Sequence, residues 1–180
     1  MGIDESNPIW KQIYWIDESR CLRPMLAPNL YTLLEILQKF IRPLKIFEVG
    51  TCFRRESKGK IHLEEFTMLN AVELAPPKDP SSRLKELIEL IMRTLKLDNY
   101  ILNNVESDIY GHTTDVIVNG LEIASSAEGP ITMDQNWGIT EPWVGIGIGL
   151  ERICSSIVRS SSVKPYSRNL GYIDGKCINI

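Results

Sequence analysis

The chain lacks most of the features that would assign it quickly. It has two histidines, His62 and His112, and four cysteines at 21, 52, 154 and 177, no two of them close in sequence. Neither a CxxC redox pair nor a zinc knuckle can be built locally from that set, and a mixed His/Cys metal site is disfavoured. There is no basic surplus: the formal net charge is −3 over 180 residues, so any nucleic-acid contact must use a local patch. No run approaches the roughly 18 apolar residues that span a bilayer. The N-terminus, with Asp4, Glu5 and Pro8, has no basic-then-apolar export signal. A cytoplasmic protein with reduced thiols and no membrane association is the expectation. Internal repeats and low-complexity tracts are also missing, apart from Ser160-Ser161-Ser162, which reads as a loop. With 43% hydrophobic and 24% charged residues, disorder is excluded and a single folded domain over residues 1–180 is expected.

What is present is well punctuated. After Pro28, apolar residues Leu30, Leu33, Leu34, Leu37, Phe40 and Ile41 recur at helical spacing until Pro43 closes the segment. Residues 46–53 and 66–74 are rich in β-branched and apolar side chains and frame a polar loop, 54–63, as two antiparallel strands would. Asp79-Pro80 reads as an N-cap with proline at the first helical position, followed by one apolar face of Leu84, Leu87, Ile88, Ile91 and Leu95. Asn119-Gly120 between apolar runs predicts a hairpin with a two-residue type I′ turn. Residues 143–149 alternate glycine with apolar residues, and Leu150, Ile153, Cys154, Ile157 and Val158 continue at helical spacing. Hairpin-joined strands with interspersed helices predict an α+β domain on a mostly antiparallel sheet.

Two segments carry chemistry. In the first, an apolar strand ends at Arg54, a polar loop follows with Glu56 and His62, and the returning strand carries Phe66 and then Asn70. A guanidinium there can take a phosphate and a ring can take a base. In the second, Gly145-Ile146-Gly147-Ile148-Gly149-Leu150-Glu151-Arg152, three alternate glycines clear one face of a strand so that a flat ligand can lie against the backbone. The spacing is not a dinucleotide fingerprint. Glu122 and Ser125 between them offer two oxygens suited to Mg²⁺. A strand-end arginine or a lone strand glutamate is, taken singly, more often plain surface; order and spacing together give the signal.

These blocks resemble motifs 2 and 3 of the class II aminoacyl-tRNA synthetases. Longer phrases narrow the resemblance: residues 21–31 (CLRPMLAPNLY), Ile109-Tyr110-Gly111, Trp137-Gly138-Ile139 and residues 142–152 are similar to the catalytic domain of the pyrrolysyl-tRNA synthetase family, ahead of phenylalanyl- and seryl-type relatives. The resemblance implies ATP, Mg²⁺, an amino acid and tRNA as ligands and partners, and a homodimer for the full-length protein. It assigns Arg54 to the α-phosphate, Glu56 to the adenine end, and His62 to the loop over the nucleotide. Phe66 and Arg152 would sandwich the adenine, and Glu122 and Ser125 would hold the metal. Arg54, Glu56 and Arg152 would be the catalytic set. Ala27, Leu30, Tyr31, Leu34, Asn70, Val72, Ile123, Ala127, Trp143 and Gly145 would line the amino-acid pocket, with Asn70 bonding the substrate's side-chain amide and Tyr110 on a hairpin closing over it.

That lining also makes sense chemically, as an apolar cavity with one buried amide for orientation, although Leu30, Tyr31 and Leu34 fall on a helical stripe of the kind that ordinarily forms core. Two positions depart from the family pattern: Val72 stands where cysteine is common, and Ala127 where valine is common, so the pocket is expected to be reshaped. The family's motif 1 and a separate tRNA-binding region are expected before Met1, which makes the fold incomplete at its N-terminus and the chain a truncated form, a misplaced start or one piece of a split protein. The expected activity is pyrrolysine–tRNA ligation. A silent paralogue acting as a binding or regulatory module, and an amide-forming ATP-dependent ligase on the same fold, are the alternatives.

Overall fold

The structure, a computed structural model, describes residues 5–55, 59–168, 172–173 and 176–177. Six strands, β1 (Leu44–Phe53), β2 (Glu65–Leu74), β3 (Tyr100–Ser107), β4 (Gly111–Val118), β5 (Leu121–Gly129) and β6 (Trp143–Gly149), form one sheet in the order β1-β2-β6-β5-β4-β3. Every neighbouring pair is antiparallel. A separate two-stranded ribbon pairs β7 (Tyr172–Ile173) with β8 (Lys176–Cys177). The α+β expectation holds, with β3 added to the strands read from the sequence.

Helix α1 (Ala27–Leu37) covers one face of the sheet and α2 (Pro80–Leu95) the other, so the core divides in two. Leu30, Tyr31 and Leu34 of α1 pack with Leu44, Val72, Leu74 and Trp143. Leu84, Ile88 and Met92 of α2 pack with Val116, Val144, Ile146 and Ile148. The α2 start is as expected: the Asp79 carboxylate accepts from Ser82 N at 3.0 Å, with Pro80 at the first helical position. Asn119 (φ 52°) and Gly120 (φ 78°) both adopt left-handed backbone between β4 and β5, as a type I′ turn requires.

Two helical expectations need correction. α1 ends at Leu37, six residues before Pro43, because Phe40 and Ile41 both turn their amides back to the Leu37 carbonyl and the chain reverses into β1. Phe40 is left 79% exposed. In α3 (Leu150–Ile157), Cys154 and Ile157 face solvent, as does Val158 just beyond it, while Glu151, Ser155 and Ser156 are buried beside Ile153. Hydrogen bonding selects that face: Ser155 Oγ donates to the Ser160 carbonyl at 2.9 Å, which also orders the serine loop.

Ile88 is 1% exposed at the centre of the α2 core, so Ile88→Ala should lower unfolding free energy by about 2–5 kcal/mol, read from denaturant midpoints at unchanged slope.

Candidate active site

The site face of the sheet follows from register. Side chains alternate faces along a strand, and the pairings Glu48↔Asn70, Asn70↔Gly147, Gly147↔Ser125 and Ser125↔Asp115 put five residues in one row across β1, β2, β6, β5 and β4. The next row on that face is Ile46, Val72, Gly145 and Ala127. The two departures from the family pattern therefore flank the same glycine. At Gly147 an added Cβ would lie 3.2 Å from Asn70 Oδ1 and 3.3 Å from Met68 Cε, so the missing side chain leaves room for the asparagine amide.

Above this floor lies a cavity of about 470 Å³. Every site residue named from the sequence lines it, apart from Glu56, which lies outside the described residues. Asn70 Oδ1 is buried within it and has no hydrogen-bond partner among the described residues. Leaving such an acceptor bare costs about 1–3 kcal/mol, a cost that a ligand N–H would remove.

Glu122 and Ser125 are three apart on β5 and would face opposite ways on a regular strand. A bulge prevents that. Ile117 pairs with Glu122 and Val116 with Ala124, so Ile123 is the extra residue and both oxygens reach the cavity side. The Glu122 carboxylate accepts from Arg152 Nη1 at 3.1 Å, and its carbonyl accepts from the same nitrogen at 2.9 Å. Desolvation raises the Glu122 pKa, and the Arg152 charge works against that rise.

At the strand-end arginine, Arg54 Nε donates to the Pro24 carbonyl at 2.8 Å and the guanidinium carbon stands 5.4 Å from the Phe66 ring centroid. The phrase containing Pro24 is tied to β1 again through Arg23, which donates to Glu48 Oε1 (2.8 Å) and to the Thr51 carbonyl. It lies across Gly50, where a Cβ would collide with the guanidinium. His62 also lines the cavity, on a loop whose Lys60 carbonyl accepts from Val163 N at 2.9 Å and Ser162 Oγ at 3.1 Å. Of the basic residues near the C-terminus, Arg168 donates to Thr51 Oγ1 at 3.0 Å.

Two carboxylates were missed by the sequence reading. Glu151, 6% exposed, accepts Thr67 N on both oxygens (2.9 and 3.0 Å), so the residue after Phe66 is bound to the residue before Arg152. Asp134 is fully buried and accepts from Tyr31, Trp143 and the Ile131 amide. Its only sequence signal was a lone carboxylate within the apolar phrase Ile131 to Ile139. Above Trp143, the Tyr110 ring packs edge-on with centroids 6.2 Å apart, at the turn joining β3 to β4. Burial, with a contribution from the Asp134 charge, pushes the Tyr110 hydroxyl up to about 12.

A family model for the tRNA synthetase class II core domain (G, H, P, S and T) matches residues 14–136. The chain belongs to the class II aminoacyl-tRNA synthetase core family. Its fold is similar to the crystal structure of pyrrolysyl-tRNA synthetase from Desulfitobacterium hafniense, with a TM-score of 0.88 and 43% identity, covering 99% of this chain and 65% of that one. It is 34% identical over 124 residues to the phenylalanine–tRNA ligase beta subunit of Thermococcus onnurineus, covering 67% of this chain and 21% of that protein. It is 26% identical over 172 residues to the O-phosphoserine–tRNA(Cys) ligase of Methanopyrus kandleri, covering 83% and 30%. The chain thus spans less than two thirds of the length of each of these relatives. No helix among the described residues is long and apolar enough to cross a membrane.

Cys52, opposite Phe66 and fully buried, has its thiol pushed up to about 11 by burial, with Arg23 and Arg54 opposing. A folded-state pKa above the ordinary 9.0 stabilises the fold below pH 9, and that contribution is lost as pH rises towards 11. Iodoacetamide at pH 8 should therefore label exposed Cys21 and Cys154 while sparing Cys52 until the protein unfolds, as peptide mass mapping would show.

Proposed function

We propose that the chain is the catalytic core of a pyrrolysine–tRNA ligase. It joins pyrrolysine, or a bulky Nε-acyl-lysine, to ATP as an adenylate and then passes the acyl group to tRNA. The observation that carries the reading is Asn70. Its buried oxygen, without a partner among the described residues, lies in the floor of the cavity, whose wall includes the apolar side chains of Leu30, Leu34, Ala127 and Trp143, and a long aliphatic side chain carrying one amide complements that arrangement. The 43% identity to a pyrrolysyl-tRNA synthetase supports it.

In the first step a carboxylate oxygen of the amino acid attacks the α-phosphorus and the bond to pyrophosphate breaks. In the second, a 3′-terminal hydroxyl of tRNA attacks the acyl carbon and AMP leaves. Neither step needs a side-chain nucleophile, so the chain's contribution is positioning and charge. Arg54 holds the α-phosphate, Phe66 and Arg152 bracket the adenine, and His62 covers the nucleotide; the adenine-end role assigned to Glu56 falls outside the described residues. Arg152 and Glu122 are already ion-paired across the site, which holds both side chains in place before ligand arrives. Glu122 and Ser125, brought to one face by the bulge, fit a hard cation that keeps waters and phosphate oxygens as its other ligands. Mg²⁺ there would supply neutralisation of phosphate charge.

Homodimerisation and a cytoplasmic setting belong to the same reading. Edge strand β1 leaves Phe47 72% and Val49 49% exposed, apolar surface that a second copy would cover. Val72 and Ala127, flanking Gly145, shift free volume from the β2 side of the pocket to the β5 side.

Arg54→Ala should lower ATP–pyrophosphate exchange with an Nε-acyl-lysine by about a hundredfold or more; near-normal exchange would reject the assignment. A well-folded wild type that binds Mg-ATP without turnover would instead favour the binding module.

A further inference from the structure

We infer that Asp134, which is not itself part of the cavity wall, is a positioning residue that sets the shape of the amino-acid end of the site by holding Tyr31 and Trp143 in one arrangement. The inference rests on the reading of that end as the amino-acid pocket.

Asp134 belongs to a short 3-10 segment, Thr132–Trp137, outside the sheet, and is 0% exposed. Three donors from three places converge on it. Tyr31 Oη on α1 donates to Oδ1 at 2.7 Å, Trp143 Nε1 on β6 donates to Oδ2 at 2.6 Å, and the Ile131 amide donates to Oδ2 at 2.7 Å. No lysine or arginine pairs with it among the described residues, so these dipoles carry the whole compensation for burying it. Tyr31 and Trp143 both line the cavity, on different elements, and no hydrogen bond joins them directly.

The indole needs such an anchor. On one side it lies over Gly129, where a Cβ would collide with the ring, and its Cζ3 stands 3.4 Å from where a Gly145 Cβ would be. The Tyr110 ring packs against it in a T-shaped contact. The indole thus forms the wall beside Gly145 and Ala127 and the seat of the β3–β4 hairpin turn. Its terminal torsion is intrinsically broad, and the bond to Asp134 selects one setting. Burial and the bond to Asp134 together raise the Tyr31 hydroxyl pKa, so this hydroxyl keeps its proton.

The geometry makes a specific demand. A tyrosine hydroxyl accepts as well as donates, so an asparagine at 134 can turn its oxygen to Trp143 and Ile131 and donate its NH₂ to Tyr31. All three bonds survive in Asp134→Asn, and none of the side-chain bonds survives in Asp134→Ala. A residue that merely filled core would affect stability without separating the two substrates.

The test uses the full chain, ¹⁵N-labelled at tryptophan, with Asp134→Asn, Asp134→Ala and Tyr31→Phe variants. Indole N–H exchange is followed by NMR, and KM for an Nε-acyl-lysine and for ATP are taken from pyrophosphate exchange. Asp134→Ala should lose protection of the Trp143 indole proton. It should raise the acyl-lysine KM about tenfold while the ATP KM stays within about twofold. Asp134→Asn should keep the protection and stay within about threefold of wild type in both constants, and Tyr31→Phe should raise the acyl-lysine KM alone. The inference is overturned if Asp134→Ala keeps the indole protected, if it raises both KM values alike, or if Asp134→Asn is as impaired as Asp134→Ala. Should Asp134→Ala not fold, an unchanged acyl-lysine KM in Tyr31→Phe overturns it. If the folded wild type catalyses no exchange, the ligase reading fails, and indole exchange in the Asp134 variants still decides this one.

Discussion

Because side chains alternate faces along a strand, the pairing of Asn70 with Gly147 and of Gly147 with Ser125 commits the whole site at once. A slip of one residue between β2 and β6 would put Ile146 or Ile148 under the ligand and bury the glycines against α2. The apolar alternation that feeds the α2 core, Val144, Ile146 and Ile148, is therefore the same pattern that leaves Gly145, Gly147 and Gly149 facing the cavity. Stability on one face and access on the other are a single register, and the weakness of a glycine-rich strand is offset by its central place between β2 and β5.

Around that floor, several of the groups that shape the site are held from a second segment of the chain. Arg54 is steadied by the Pro24 carbonyl, Arg152 by Glu122, Thr67 by Glu151, and Trp143 by Asp134. The bulge at Ile123 performs the complementary task within β5, turning two oxygens three residues apart to the same side. The proposed catalysis by positioning requires such support, since small displacements of charge-bearing groups are costly to rate.

Much of this was legible in the sequence because it is local. Asn119-Gly120 specifies its turn, Asp79-Pro80 its helix start, and the Gly-Ile-Gly-Ile-Gly alternation its strand, each through neighbours in the chain. The bulge was not legible, because one extra residue in β5 shows only against β4. Asp134 was not, because its partners Tyr31 and Trp143 lie 103 and 9 residues away. The α3 stripe misled because Glu151 and Ser155 take the buried face through hydrogen bonds, which periodicity of apolar residues cannot register. The end of α1 was read too late for a related reason: Phe40 and Ile41 extend the apolar spacing into a turn.

On the proposed reading, Asn70 recognises one amide on a long aliphatic side chain held in this cavity. Calorimetric titration of the chain with an Nε-acyl-lysine, and with an analogue of equal length whose side-chain amide is replaced by an all-carbon link, tests it directly. Binding of the acyl-lysine tighter by about tenfold or more is predicted, and equal affinity for the two would contradict it.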